Sequence, residues 1–537
     1  MKVHQALARG LTDHGADTVF GLIGDANLFL VDSFVREQHG TYVGAVHEAG
    51  AVLMATGYAR TAGRVGVATV THGPGLTNAV TALVEGARGR TPLVLLAGDT
   101  AVDDPDNVQD INQRELVATT GAGFVQVRTP GSAVEDLALA FRRAVLERRP
   151  VVLNIPADFQ WAETPYVAVD RTPPPARAPA VDDADLDRAV GVVANARRPI
   201  VLAGRGATRA AARASVLRLA ERIGAPLATT LKAKDLFRGE PFDLGIFGTV
   251  STPAASETIA RSDCIVALGA GLNVFTTARG SLLEGRAVVQ CDVDPAAIGG
   301  SGTPVVGLVG DTAAAADAIC AWLDEAGVAA SGFRSPDLLQ RLAEQPSGQP
   351  DRGTDTTVDV HTALRRLEDA LPQNRTLVTD GGRFMYEAWR QLSVREPGHF
   401  LPTVHFGSIG LGLPTAVGAR YGAPDRPVVL VCGDGGFMLG GLAEFGTAVR
   451  LGVDLIVVVL DDGGYGAEHI QFRNRDMDPA LSLLAWPDLA GVAEALGGTG
   501  LTVRRLADLD SLRSRLENRD RPVLVDVRLD PDQVPNH

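Results

Sequence analysis

The chain has 537 residues, 45% of them hydrophobic and 21% charged, with a formal net charge of −14. That balance excludes collagen, intrinsic disorder and a small disulfide scaffold. It also argues against a nucleic-acid partner, because phosphate binding needs a basic face. At roughly 100–200 residues per domain, the length suggests about three domains. Cys264, Cys291, Cys320 and Cys432 form no C-x-x-C pair, so the sequence points to a reducing, cytoplasmic setting. The sequence offers no uncharged apolar run of about 20 residues and no cleavable leader, so neither a membrane span nor a signal peptide is expected.

In chain order, the first residues open as an amphipathic helix. Buried strands are then expected at 65–70 and 92–98. Further strands are expected at 199–204, 264–269 and 287–292, and again at 427–434 and 455–461. Each is a short apolar run ending in glycine or aspartate, and alanine-rich helical stretches follow. Runs that are apolar on both faces belong to parallel strands covered by helices on each side. The fold class is therefore α/β, with three doubly wound parallel-sheet domains. A proline-rich stretch at 171–179 and a Gln/Pro/Gly-rich one around 332–357 read as the two connections, the second as a mobile one. In such sheets ligands sit beyond the carboxyl ends of the strands.

The richest such end is Gly433-Asp434-Gly435-Gly436. The next strand ends in Asp461-Asp462-Gly463-Gly464-Tyr465-Gly466, so Asp434 and Asp462 are 28 positions apart. One strand–helix–strand crossover fills that gap and brings both carboxylates to the same edge of one sheet. Two carboxylates with nearby carbonyls suit a hard cation such as Mg²⁺, which also bridges to phosphate oxygens. The same two aspartates could instead cap helices. Earlier in the chain, Glu48 lies in a stretch of small and apolar residues, where a lone carboxylate is costly unless it finds a partner. Thr71-His72-Gly73-Pro74-Gly75-Leu76-Thr77-Asn78 forms a tight turn after a strand. Val108-Gln109-Asp110 follows further on. Thr379-Asp380-Gly381-Gly382-Arg383 and Phe406-Gly407-Ser408-Ile409-Gly410 are further glycine-rich turns.

Taken in order, these segments resemble thiamine-diphosphate-dependent enzymes of the acetolactate synthase, benzoylformate decarboxylase and pyruvate decarboxylase superfamily, across essentially the whole chain. Gly-Asp-Gly followed by an Asn-Asn-like pair is the cofactor signature there, with Asp461-Asp462 standing in place of the asparagines. The resemblance implies a pyrimidine-binding domain at 1–170, a central domain at 180–331 and a diphosphate-binding domain at 355–537. It implies that Asp434, Asp462 and the carbonyl of Gly464 hold Mg²⁺. Gly381, Gly382, Arg383, Gly433, Gly435, Gly436, Tyr465 and Gly466 would surround the diphosphate. Gly407, Ser408 and Ile409 would grip the aminopyrimidine and bend the cofactor, with Glu48 at its ring nitrogen. His72, Gln109, Glu468 and His469 are the candidates to face substrate.

The implied activity is decarboxylation or carboligation of a 2-oxo acid through an enamine intermediate, with a carbonyl acceptor. A benzoylformate-type decarboxylase or C–C lyase is the alternative. Two chains would build each site, so a homodimer is the minimum and a homotetramer the expected assembly. The central domain resembles one that binds FAD in acetolactate synthases, and Gly204-Arg205-Gly206 with Lys232 and Lys234 could serve a phosphate there. A nicotinamide or flavin oxidoreductase is disfavoured, because Gly204-Arg205-Gly206-Ala207-Thr208-Arg209 lacks the third glycine of the dinucleotide fingerprint. The chain departs from acetolactate synthases in having no lysine between Lys2 and Lys232 and in carrying Glu468-His469 just past the metal motif.

Overall fold

The computed structural model describes the chain except residues 105, 171–172, 175–178, 210–211, 301, 304, 345–350 and 535–537. Most of the 171–179 connection and the centre of the 332–357 connection therefore lie outside the described residues. Within the second stretch, however, a helix runs from Pro336 to Ala343, with Leu338 buried. Ser335 caps it by accepting from the Leu338 N–H, and Pro336 fills its first turn. The Gln/Pro/Gly composition beyond it conceals that short element.

Three six-stranded parallel sheets form the framework. The first contains β1 (Thr18–Gly21), β2 (Thr41–Gly44), β3 (Gly66–Val70), β4 (Leu93–Asp99), β5 (Gly123–Gln126) and β6 (Pro150–Pro156), in the order β2-β1-β3-β4-β6-β5. The second contains β7 (Pro199–Ala203), β8 (Leu227–Thr229), β9 (Asp243–Ile246), β10 (Cys264–Leu268), β11 (Ala287–Asp292) and β12 (Val306–Val309), in the order β12-β11-β10-β7-β8-β9. The third contains β13 (Thr376–Thr379), β14 (Phe400–Pro402), β15 (Val428–Gly433), β16 (Leu455–Asp461), β17 (Thr499–Val503) and β18 (Val523–Arg528), in the order β14-β13-β15-β16-β18-β17. Every residue of β16 is buried, as expected of a near-continuous apolar strand covered on both faces. Among the described residues no helix is long and apolar enough to cross a membrane.

The first and third sheets share one strand order, and their chain segments form one compact unit. Residues 176–351 and 386–400 form another. Inside the first unit the helix Glu48–Ala62 packs on the helix Gly412–Gly422. A side chain at Gly57 would collide with the backbone of Thr415 and Ala419, and one at Gly418 with the backbone of Met54. These glycines let the two helices touch along their backbones.

Two buried carboxylates clasp the halves reciprocally. Glu444, on the helix after β15, accepts the N–H groups of Val46 (3.2 Å) and His47 (3.3 Å), just after β2. Glu85, on the helix after β3, accepts from the Phe406 N–H (2.8 Å) and pairs with the His405 ring (2.6 Å), after β14. The shared strand order places these partners equivalently. Burial pushes the Glu85 carboxyl up, but the hydrogen bond and charge of His405 and the Phe406 N–H outweigh it and hold the carboxyl below its ordinary 4.5. A depressed carboxylate stabilises the fold above its unfolded value and loses that contribution as pH falls through its folded value. Glu85→Gln is therefore expected to cost about 1–3 kcal/mol near neutral pH. The difference from the parent should shrink below pH 4.5. Urea midpoints at several pH values check this.

Candidate active site

In the third sheet the strand order reverses between β13 and β15, the position where an open α/β sheet leaves a crevice at its carboxyl edge. The two turns that border it are Asp380–Arg383 and Gly433–Gly436, and the end of β16 lies beside them. The backbones there come close together. A Cβ on Gly381 would lie 3.2 Å from the Ser408 carbonyl oxygen and 3.5 Å from Ile409. One on Gly436 would lie 3.6 Å from Ile409, and one on Gly435 would lie 2.8 Å from the Tyr465 ring. Gly381, Gly382, Arg383, Gly407, Ser408, Ile409, Gly433–Gly436, Asp462 and Gly464–Gly466 thus gather at one sheet edge.

Asp380 organises that edge, a role the sequence reading did not give it. It is 1% exposed. It accepts the N–H groups of Gly381 (2.9 Å), Gly410 (2.7 Å) and Leu411 (3.3 Å) and the Thr403 hydroxyl (3.1 Å). Burial pushes its carboxyl up to about 6 despite those donors. The bonds to Gly410 and Leu411 fix the turn that carries Ile409. Gly407 (φ +81°) and Gly410 (φ +83°) bracket Ile409 in left-handed conformations that other residues adopt only with strain.

The two metal-type carboxylates are both sheltered. Asp434 is 2% exposed and accepts the Trp486 indole N–H at 2.7 Å. Burial, then the neighbouring charges of Asp462 and Asp461, push its carboxyl up to about 8. Asp462 is raised to about 6 by burial, against the pull of Arg383. The Arg383 Nη2 donates to Asp462 Oδ2 (3.1 Å) and to the Pro531 carbonyl (2.7 Å). Among the described residues no group of three or more His, Cys, Asp or Glu side chains forms a metal cage. A pair of carboxylates with an adjacent carbonyl is instead a partial set, one that suits a cation completed by phosphate oxygens.

A second cluster lies at the carboxyl edge of the first sheet. Glu48 opens its helix behind the N-cap His47 and is 8% exposed. Its Oε2 accepts from the Asn78 side chain at 2.9 Å, and its Oε1 is 3.7 Å from where a Gly75 Cβ would stand. The helix start thus faces the Gly73-Pro74-Gly75 turn. The Gly73 α-carbon abuts the Gln109 backbone, and the Gly73 N–H bonds Gln113 at 2.8 Å. His72 is 3% exposed, with its Nδ1 buried, without a hydrogen-bond partner and 3.9 Å from Asp25. Glu48, His72 and Gln109 therefore belong to one neighbourhood.

Glu468 and His469 separate. Glu468 faces solvent, whereas His469 is 3% exposed and bonds Ser482 (3.1 Å) and Asp532 (2.9 Å) through its two ring nitrogens. His469 ties its helix to the chain's last described segment. In the second sheet, the glycines of Gly204-Arg205-Gly206 are accounted for by packing. A side chain at either would strike the Gly269 backbone. Lys234 is 4% exposed and pairs with Asp235 at 3.1 Å.

Three family models match the chain. They are the thiamine pyrophosphate enzyme N-terminal TPP-binding domain at residues 1–120, the central domain at 186–319 and the C-terminal TPP-binding domain at 380–527. A sulfoacetaldehyde acetyltransferase of Castellaniella defragrans is 29% identical, covering 95% of this chain and 89% of its own. The acetolactate synthase large subunit of Corynebacterium glutamicum is 28% identical, over 98% and 87%. The acetolactate synthase isozyme 2 large subunit of Escherichia coli is also 28% identical, over 98% and 95%.

Proposed function

This chain belongs to the thiamine pyrophosphate enzymes, and from that premise we propose how its own residues bind the cofactor and act on a 2-oxo acid. Its activity is decarboxylation or carboligation of such an acid, of transferase or lyase type. The observation that carries the site assignment is the meeting of Asp434, Asp462, Gly464 and the 380–383 and 407–410 turns at one sheet edge. The residues fit thiamine diphosphate with Mg²⁺. Glycines leave room where a Cβ would intrude, the carboxylates crowd one another as if awaiting a cation, and Arg383 keeps buried N–H groups without partners.

Asp434, Asp462 and the Gly464 carbonyl would hold Mg²⁺, which carries the diphosphate. Backbone N–H groups at 381–382 and 435–436 would face the same phosphates. Ile409, fixed by Asp380, would support the bent form of the cofactor, and the Gly407 carbonyl would accept from its amino group. Once bound, thiamine diphosphate supplies the electron sink that lets the carboxylate of a 2-oxo acid leave as carbon dioxide. Glu48 holds a proton at the aminopyrimidine ring nitrogen, and Asn78 fixes the carboxylate that does so. His72 and Gln109 would face substrate beside the Gly73-Pro74-Gly75 turn.

The test is a stopped assay with the cofactor, Mg²⁺, a panel of 2-oxo acids and sulfoacetaldehyde, following carbon dioxide and carboligation products together. Cofactor-dependent release of carbon dioxide from at least one 2-oxo acid is expected. Cofactor that binds but supports no product from any of them would overturn the reading.

By the family resemblance each site would take Glu48 from one chain and Asp434 from a second copy, which would make a dimer the smallest active species. Mixing inactive Glu48→Ala with inactive Asp434→Ala protein should then restore part of the activity. No recovery under proven subunit exchange would mean a site made within one chain.

A further inference from the structure

We propose that Arg383 and Asp462 act as one unit, in which the carboxylate ligates Mg²⁺ while the guanidinium offsets its extra charge and donates to the cofactor's diphosphate. The proposal rests on the cofactor reading above and adds to it why this chain tolerates a second aspartate at the metal site.

The geometry of the pair is that of a shared bridge. The Arg383 and Asp462 side chains are 5% and 11% exposed, so their charges meet with little water between them. Only Nη2 is engaged, by Asp462 Oδ2 and the Pro531 carbonyl. Nε and Nη1 are buried without a hydrogen-bond partner. A buried arginine–carboxylate pair frequently uses the planar fork on both carboxylate oxygens. Here one corner is anchored and two donors are left over. Nε is 3.2 Å from where a Cβ on Gly466 would stand, in the turn that also carries Gly464 and Asp462. Asp532 and, across the crevice, Asp434 also act on the guanidinium. Arginine stays charged under these conditions, and its fork matches phosphate oxygens.

Charge balance gives the pair its function. Two aspartates place two negative charges beside an anionic diphosphate, one more than an aspartate and an asparagine would. One guanidinium restores the difference. This chain departs from the asparagine signature at both Asp461 and Asp462; Asp461 is paired with Arg528 at 2.7 Å, and Arg383 is the cation the structure sets against Asp462.

The experiment is a double-mutant cycle on cofactor binding. Thiamine diphosphate affinity is measured by titration calorimetry at several Mg²⁺ concentrations for the parent, R383Q, D462N and R383Q/D462N. Apo-protein melting curves check that each variant is folded. D462N should change affinity by less than about tenfold. R383Q should weaken it about 10–100-fold, the scale on which partners of metal ligands act. R383Q/D462N should regain much of that loss, because the charge that needed balancing is gone. R383K keeps the charge without the fork and should fall between the parent and R383Q. An R383Q loss equally large in the D462N background, or an R383K loss as large as that of R383Q, would overturn the coupling and leave the cofactor assignment standing. A parent protein that binds no thiamine diphosphate with Mg²⁺ would overturn both.

Discussion

Replacing Asp434 by alanine is expected to abolish magnesium-dependent binding of thiamine diphosphate while leaving the apo fold intact. Asp434 is 2% exposed, and its charge stands close enough to Asp462 and Asp461 for them to raise its carboxyl. Without a cation this crowding is unfavourable, and with one it becomes the attraction that holds the metal. Removing one member of a buried charged contact costs about 3–5 kcal/mol, or roughly 10²–10⁴-fold in affinity. The apo protein should respond in the opposite sense. A carboxyl raised above its unfolded value of 3.8 withdraws stability as pH climbs toward its folded value, so Asp434→Asn should melt higher than the parent at pH 8 without cofactor. Weaker binding together with higher apo stability separates a ligand from a structural residue. Calorimetry that finds cofactor affinity unchanged in Asp434→Ala would remove the assignment.

The turns of the proposed diphosphate edge could be read in the sequence because they are local. Gly433-Asp434-Gly435, Asp462-Gly463-Gly464 and Gly407-Ser408-Ile409-Gly410 each sit at the end of a strand or in a tight turn. Buried parallel strands announce themselves as continuous apolar runs, and the chemistry follows within a few residues. What escaped depends on distant pairings. Glu444 meets Val46 across 398 positions and Glu85 meets His405 across 320. Trp486 reaches Asp434 from a loop 52 residues on. No spacing rule signals such partners. Asp380 lies in a recognisable turn, but its part as a four-donor acceptor requires knowing that the 403–411 segment folds back over it. Asn78 stood in a recognised motif, yet its bond to Glu48 depends on two turns of the first sheet facing each other.

Adjacency in sequence does not guarantee a shared setting. Glu468 and His469 looked like one acid–base pair because they are neighbours in sequence. On a helix, consecutive side chains point about 100° apart, so neighbours can meet different surroundings. Here His469 is the buried one, and its partners are Ser482 and Asp532. The likeness between the first and third sheets was also hidden. Strand order and the reciprocal Glu85 and Glu444 clasps repeat, whereas the residues between them share no visible period.

Glu48→Gln is expected to separate binding from chemistry. The Asn78 amide donates to Glu48 Oε2 at 2.9 Å, and a glutamine can present its carbonyl oxygen to the same donor, so the side chain keeps its place. Its amide can still meet the aminopyrimidine ring nitrogen with a hydrogen bond. The diphosphate and Mg²⁺, which the proposed site would hold in a different part of the protein, would carry most of the anchoring. Affinity for thiamine diphosphate should therefore stay within about tenfold, or about 1.4 kcal/mol. The amide cannot share a proton with the ring as the carboxylic acid does, so the acid–base contribution is lost. Exchange of the cofactor's C2 proton should slow by about 10²–10⁴-fold. Hydrogen–deuterium exchange at C2 of the bound cofactor, quenched in acid and read by NMR, measures this directly. Glu48→Ala gives the contrast, because it also leaves the Asn78 amide without its acceptor and should lower the melting temperature. Parent-like exchange in Glu48→Gln would make Glu48 a support for the turn at Gly75 and move the proton relay elsewhere.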